Sequence, residues 1–354
     1  MAKKLFIPGP SEVGPKMLGV LATPQIGHRS GEFQELYARV MGRLRDFLAT
    51  GNHAYLATCS ATGVMEGAIR NLVKKRCLNL TCGAFSERWH QMTQANGKAA
   101  DALAVEWGEP NSPEALDEAL SSGEYDVVTL VHNETSTGIM NPLAEIAGVV
   151  RKHPDVLLAV DAVSSMAVVD IDIDQLGLDV VLAGLQKGFG LPSGLTVFVV
   201  SERALERARE VPDRGYYFDF LEFEKYHQRQ QTPSTPPMPQ VYALDRRLEE
   251  ILTLGREEWF ARHLQMAELT RAWARRHFDL FPRKGYESVS LTAIRNTPGI
   301  RVGDLQAELG RRGFAISNGY GKLKEKTFRI GHMGDIESAD LEVLFKTIEE
   351  ILAI

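Results

Sequence analysis

The sequence predicts an α/β fold: a large domain built on a mainly parallel sheet flanked by helices, with a smaller C-terminal α+β domain. Three observations predict it. Short apolar runs alternate with helical patterns through the first two-thirds of the 354 residues. Several runs are continuously apolar, as expected for strands covered on both faces. The strand pattern then fades near residue 205, and a shorter strand–helix pattern returns from about 280 to 354.

FQELYARVMGRLRDFL (33–48) carries Phe33, Leu36, Tyr37, Val40, Leu44 and Phe47 at helical spacing. Ser30 stands where its N-cap belongs. AYLAT (54–58) reads as a strand and GVMEGAIRNL (63–72) as a helix; CLNLT (77–81) and FSERWHQMTQA (85–95) repeat the pair. ALAVEW, DVVTLVH, VLLAVD, DVVLAG and LTVFVV continue the strands. Pro142 suits the first turn of a helix over 142–152. YHQRQQTPSTPPMPQ (226–240) reads as an extended loop. A helical stretch over 242–277, broken near Gly255, leads to a final amphipathic helix, ADLEVLFKTIEEIL (339–352). The expected organisation is an N-terminal arm (1–15), a large domain (16–255) and a small domain (256–354).

Composition excludes several classes. The net charge of -6 leaves no basic footprint for nucleic acid. Cys59, Cys77 and Cys82 are too few for a disulfide framework and lack metal-site spacing, so no metal is expected. That usage fits a reducing cytoplasm. No signal peptide or membrane-spanning stretch is readable.

Chemistry concentrates at strand ends. Asp161 ends VLLAVD, and Lys187 follows DVVLAG in LAGLQKGFGLPSG (182–194), 26 positions on. In an open parallel sheet, ligands bind at the carboxyl ends of strands. An amine able to form a Schiff base and a carboxylate able to keep a pyridinium nitrogen protonated are the minimum kit for pyridoxal phosphate chemistry. Each alone also fits a turn residue or a helix cap. Upstream, Ser60, Ala61, Thr62 and Gly63 form a strand–turn–helix junction of small residues, where amides and a helix N-terminus can face an anion. Asn133 to Thr137 follow another strand and could bond a phenolic oxygen. Arg329, in FRIGHMGD, suits a carboxylate fork. His28 and Arg29 read either as an anion-binding pair or as a solvated loop.

These motifs resemble the class V, fold-type I pyridoxal phosphate aminotransferases nearly end to end. The resemblance runs through PGPSEV (8–13), SATGVMEG, GAFSER, HNETSTG, VDAVSS, LQKGFGLPSGL, TPSTPPMPQVYAL and FRIGHMG. It is nearest the alanine–glyoxylate and serine–pyruvate branch and close to phosphoserine aminotransferases. It implies that Lys187 bears the cofactor and later moves the α-proton. Asp161 pairs with the ring nitrogen, Val163 packs beneath the ring and Phe85 stacks above it. Ser60, Ala61, Thr62 and Gln186 hold the phosphate, and Thr135 approaches the phenolic oxygen. Thr235 reaches the phosphate of a neighbouring subunit, making a homodimer with shared sites. Arg329 takes the substrate α-carboxylate, with Gly9, His28 and Arg29 also at the substrate. Many relatives have Trp at Phe85 and His at Thr62.

The expected reaction is ping-pong transfer from alanine or serine to glyoxylate or pyruvate. The alternative is phosphoserine with 2-oxoglutarate, if His28 and Arg29 face inward; outward, or paired with Glu32 or Glu35, they leave a pocket for small neutral side chains. A cysteine desulfurase is excluded because no cysteine follows Cys82. Retention of Lys187 argues against a non-catalytic binding protein.

Overall fold

The computed structural model describes residues 3–354. Its strands, in chain order, are β1 (Lys4–Phe6), β2 (His53–Ala57), β3 (Cys77–Thr81), β4 (Ala100–Ala104), β5 (Val127–Val131), β6 (Asn133–Glu134) and β7 (Ile139–Met140). Then follow β8 (Leu157–Asp161), β9 (Val180–Gly184), β10 (Thr196–Val200), β11 (Asp279–Leu280), β12 (Leu291–Arg295), β13 (Phe314–Asn318) and β14 (Thr327–Gly331).

Seven strands form the large sheet in the order β2-β10-β9-β8-β5-β3-β4. The ladders β4–β3–β5–β8–β9 are parallel, and β10 runs antiparallel to both β9 and β2. One strand is therefore reversed, and the carboxyl ends of the other six share one edge. Every residue of β3, β5, β8, β9 and β10 is buried. Helices on both faces explain the lack of alternation: Leu44, Val160 and Val197 belong to one core, Ile69, Ala159 and Phe198 to the other.

The second sheet runs β1-β13-β14-β12-β11. Its core gathers Phe6, Trp273, Ile294, Phe328 and Leu344. Within the expected N-terminal arm, Lys4–Phe6 pairs in parallel with Phe314–Ile316 of the C-terminal sheet. Three residues whose partner lies some 310 positions away leave no local pattern to read.

Helices fall close to expectation. Gly31–Leu48 is capped by the Ser30 side chain, which accepts from the Phe33 amide. The long stretch splits into Met238–Leu254 and Arg256–His277 at Gly255, whose φ of 102° a side chain would oppose. Three details differ. β4 begins before ALAVEW, at Ala100, because its register with β3 sets Ala104 opposite Thr81 and ends there. Pro142 caps the Leu143–Val150 helix rather than entering its first turn. Helices take both ends of the 226–240 stretch: Asp219 caps Phe220–His227, and Met238 opens the next helix.

Candidate active site

Six parallel carboxyl ends deliver the chemistry to one edge. β8 ends on Asp161, β9 leads to Gln186 and Lys187, β5 to Asn133 and Thr135, β3 to Phe85, and β2 to Ser60. A cavity of about 180 Å³ opens between them. Ser60, Ala61, Thr62, Phe85 and Thr135 line it, as do Asp161, Val163, Gln186 and Lys187.

Lys187 extends from the loop after β9 toward the N-terminal segment, where its Nζ donates to the Pro8 carbonyl. Ser11 fastens that segment, its amide and hydroxyl donating to the Gln186 and Lys187 carbonyls. Gly9 is required by space and by backbone: a Cβ would lie 2.5 Å from Lys187 Nζ, at a φ of +126°. Burial lowers the Lys187 amine to a pKa of about 8, Asp161 opposing and Arg329 adding to the shift. A useful fraction of the amine is therefore neutral, and nucleophilic, near physiological pH.

Asp161 is only 6% exposed. One of its oxygens accepts from the Val163 amide at 2.8 Å. Burial raises its pKa to about 7. The Val163 hydrogen bond, Lys187 and Arg88 pull it down, while Glu134 pushes it up. Any cation placed against it in the cavity would favour the carboxylate form.

The Ala61–Leu72 helix presents its N-terminus to the cavity. Ser60 holds the N-cap backbone position, yet its side chain makes no capping bond. The hydroxyl and the Ala61 and Thr62 amides are thus available to an anion, the Gly63 amide already donating to the Ser60 carbonyl. Beside them Gln186 Oε1 is buried without a partner.

Phe85 is held from below by a residue the sequence did not single out for this task. Glu134 is fully buried and accepts from the Phe85 and Ser86 amides at 3.0 Å each. Its other oxygen accepts from the Ser136 hydroxyl and amide. The carboxylate thereby caps the Ala84–Ala95 helix, replacing the side-chain oxygen that Gly83 lacks. A second buried network, Asn133 Nδ2 to Ser164 Oγ and to Ser290 Oγ, ties the cavity floor to the second sheet.

The remaining candidates do not line this cavity. Arg329 sits beside it, buried, donating through Nε and Nη2 to the Asn318 carbonyl and through Nη1 to the Thr135 carbonyl. These bonds fix the guanidinium and leave further N–H groups for a carboxylate. Arg29 neither lines the cavity nor pairs with Glu32 or Glu35. It donates to Gln231 Oε1 and to the Thr232 and Pro233 carbonyls, and lies 5.0 Å from the Tyr226 ring. Three acceptors on one loop hold it better than a single exposed acid would. Thr235 is exposed, 3.5 Å from His28 Nε2, with its carbonyl bonded by Thr58. Sequence reasoning also passed over Arg88 and Met65, which line the cavity, and Tyr320, which faces Phe85.

A larger, open cleft of about 630 Å³ lies at the opposite edge of the sheet. Most of its cations already have acids: Lys74 with Glu210, Lys152 with Asp117, Arg207 with Asp126. It is a hollow lined by ion pairs, whereas Lys187 and Asp161 line the smaller cavity. Among the described residues no cluster of His, Cys, Asp and Glu could hold a metal ion, and no helix is long and apolar enough to cross a membrane.

Residues 20–322 match the family model for class-V aminotransferases. An uncharacterized aminotransferase of Methanocaldococcus jannaschii is 37% identical over 94% of this chain and 88% of its own length. An L-aspartate–glyoxylate aminotransferase of Paracoccus denitrificans is 32% identical over 99% and 91%. The solved structure of an alanine–glyoxylate aminotransferase from Nostoc superposes with a TM-score of 0.94 at 28% identity, covering 99% of this chain and 96% of that one. A sheet edge that brings one buried amine against one buried acid, an end-to-end sequence match and a shared fold lead to the same conclusion: the chain belongs to the class-V aminotransferase family.

Proposed function

We propose that the Lys187 cavity holds pyridoxal 5'-phosphate and transfers an amino group from a small L-amino acid, alanine or serine, to glyoxylate or pyruvate. The observation that carries this reading is the meeting of Lys187 and Asp161 in one buried cavity beside an uncapped helix N-terminus. The residues fit the cofactor. The Ser60 hydroxyl and the Ala61 and Thr62 amides stand where a phosphate needs donors, and Gln186, whose Nε2 can donate, lines the same cavity. Phe85 and Val163 line the cavity as apolar walls for a ring. When bound, the cofactor supplies an electrophilic carbonyl carbon and a ring that draws off the electron pair of a breaking C–H bond.

The chain's own residues do the rest. Lys187, lowered to about 8 by burial, supplies a neutral amine and takes the substrate's Cα proton at Nζ. With the cofactor bound, Asp161 would favour a protonated ring nitrogen by setting a carboxylate against it. Arg329 grips the α-carboxylate, its plane fixed by Asn318 and Thr135. Glyoxylate as acceptor is supported by the names of two of the relatives above. The phosphoserine alternative loses its support, because Arg29 spends its donors on the 231–233 loop. Thr235, exposed and outside this chain's cavity, supports a homodimer in which the 228–237 loop completes a neighbour's site.

A matrix of alanine, serine, phosphoserine, aspartate and glutamate against glyoxylate, pyruvate and 2-oxoglutarate tests the reading. Turnover should be highest in the glyoxylate or pyruvate columns with double-reciprocal lines that run parallel. Phosphoserine with 2-oxoglutarate as the best pair would overturn it.

A further inference from the structure

Lys187 is covered on one side by a stretch of chain with no regular structure of its own. Residues 8–14 run from the end of β1 to the Pro15–Leu21 helix, outside any strand or helix. The Pro8 carbonyl accepts from Lys187 Nζ. A Cβ on Gly9 would lie within 2.6 Å of Lys187 Cδ, Cε and Nζ, so backbone is packed along the outer half of the lysine side chain. An irregular segment has no ladder to hold it in place, and its position must come from the contacts at its ends.

Ser11 supplies one anchor, on the Gln186 and Lys187 carbonyls. The other anchor is Asp335, in the turn after β14. Its Oδ2 accepts from the Gly14 amide at 2.8 Å. Its Oδ1 accepts from Arg247 Nη2 at 2.6 Å, and Arg247 is only 4% exposed. A charge-assisted bond to a buried guanidinium fixes the carboxylate that faces Gly14. The turn itself is rigid. Arg262 donates to the Gly334 and Ile336 carbonyls at 2.9 and 2.6 Å. Gly331 has no room for a Cβ beside the Ile7 carbonyl, and one on Gly334 would lie 3.2 Å from Ser11 Oγ and 3.1 Å from Gly190 Cα. The segment, the Lys187 loop and the turn thus meet backbone to backbone, with Asp335 as the side chain that ties them.

We propose that Asp335 is a positioning residue for Lys187: through the Gly14 amide it fastens the 8–14 segment to the turn after β14 and so keeps Pro8 and Gly9 closed over the amine. The consequence rests on the aminotransferase reading, in which a covered, dry amine is the neutral one that takes the Cα proton. The charged groups around Lys187 are Asp161 and Arg329, with Arg88 on the same cavity. Those around Asp335 are Arg247 and Arg262, with Glu250 beside Arg247. Asp335 bonds none of the first set, so a change at Asp335 reaches the lysine through the position of the segment.

Two readouts that need no turnover test the proposal. Hydrogen–deuterium exchange follows the peptide spanning residues 5–14 in the holoenzyme and in the cofactor-free protein. Labelling with acetic anhydride across pH, mapped by mass spectrometry, follows Lys187 in the cofactor-free protein. The variants are Asp335→Ala, the near-isosteric Asp335→Asn, and Gly14→Ala, whose Cβ would lie 2.8 Å from Asp335 Oδ2 at a φ of -65° that alanine adopts freely. Asp126→Asn, at the opposite edge of the sheet, is the control for a general loss of stability, and circular dichroism checks that each variant is folded. Wild-type Lys187 should label with a midpoint near pH 8. Asp335→Ala should speed exchange of the peptide roughly tenfold, the scale of a lost hydrogen bond to a charged group. It should also raise the labelling midpoint by about one pH unit as water reaches the amine. Gly14→Ala should reproduce both effects, and Asp335→Asn should show smaller ones in the same direction. Unchanged exchange and midpoint in Asp335→Asn and Gly14→Ala, equal shifts in Asp126→Asn, or faster exchange with an unmoved midpoint overturns the proposal while leaving the aminotransferase reading intact. Both shifts in a protein that turns over no amino acid would support the positioning role and remove the reading that gives it a consequence.

Discussion

Asp126 and Asp161 are both buried at ends of strands in the same sheet, 4% and 6% exposed, and the difference between them locates the chemistry. Asp126 stands at the amino end of β5. It accepts from the amides of Lys74, Lys75 and Arg76 and pairs with Arg207 at 3.2 Å. Asp161 stands at the carboxyl end of β8 with one backbone bond, from Val163. The first acid has its demand for donors met by the fold. The second leaves its demand open toward a cavity that holds Lys187. Burial is common to both; the unmet hydrogen-bonding capacity is what distinguishes a site from a structural anchor.

The contrast breaks most visibly at the amine. Lys187→Ala should lower transaminase turnover by a factor on the order of 10^4 or more, since nothing else in the cavity replaces the nucleophile. Lys74→Ala, at the other edge, should leave turnover unchanged. Comparable losses in the two variants would mean that the edges are not functionally distinct.

The two acids sharpen it. Asp161→Asn should slow the half-reaction with amino donor by roughly 10^2–10^3, the scale of a lost electrostatic contact in a dry site, with the fold intact. Asp126→Asn should do the reverse. It should cost about 1–3 kcal/mol of stability through unpaired donors, read by denaturant midpoint, with kcat unchanged.

A smaller effect lies in the pH dependence of the cofactor-free protein. The folded-state pKa of Asp161 is raised by burial to about 7, from an ordinary 3.8. The folded state therefore prefers the protonated acid: that preference is fully present below about pH 4 and is lost as pH rises through 7, a difference of a few kcal/mol. Lys187 acts at the other end of the range. Its amine is depressed to about 8, so its contribution is present at high pH and lost as pH falls through 8. Asp161→Asn should flatten the stability curve between pH 4 and 7, and a wild-type slope surviving in that variant would assign it to another group.

The part of this arrangement that was legible in the sequence is the part with local signals. Continuous apolar runs marked the central strands, and an acid or an amine at the end of such a run marked Asp161 and Lys187. Thr135 lay in the polar stretch after a strand, while Phe85 and Gln186 came only with the family resemblance. What was not legible depends on distant partners. β1 is a strand only because β13 accepts it. The reversal of β10 is set by the short return from β9 and changes no residue pattern. Glu134 reads as a turn acid until the fold carries it under the Ala84–Ala95 helix. Arg88 and Tyr320 are 232 positions apart, and neither stands out until the fold brings them together. The partners that hold Arg29 were not legible for a related reason: two of them are backbone carbonyls, which carry no sequence signature.

The central claim is that Lys187, opposite Asp161, carries the cofactor. Borohydride reduction of the purified holoenzyme followed by peptide mass mapping tests it most directly. The account predicts loss of the visible band and a single pyridoxyl phosphate adduct, on Lys187. An adduct on any other lysine, or a reduced protein without one, would contradict it.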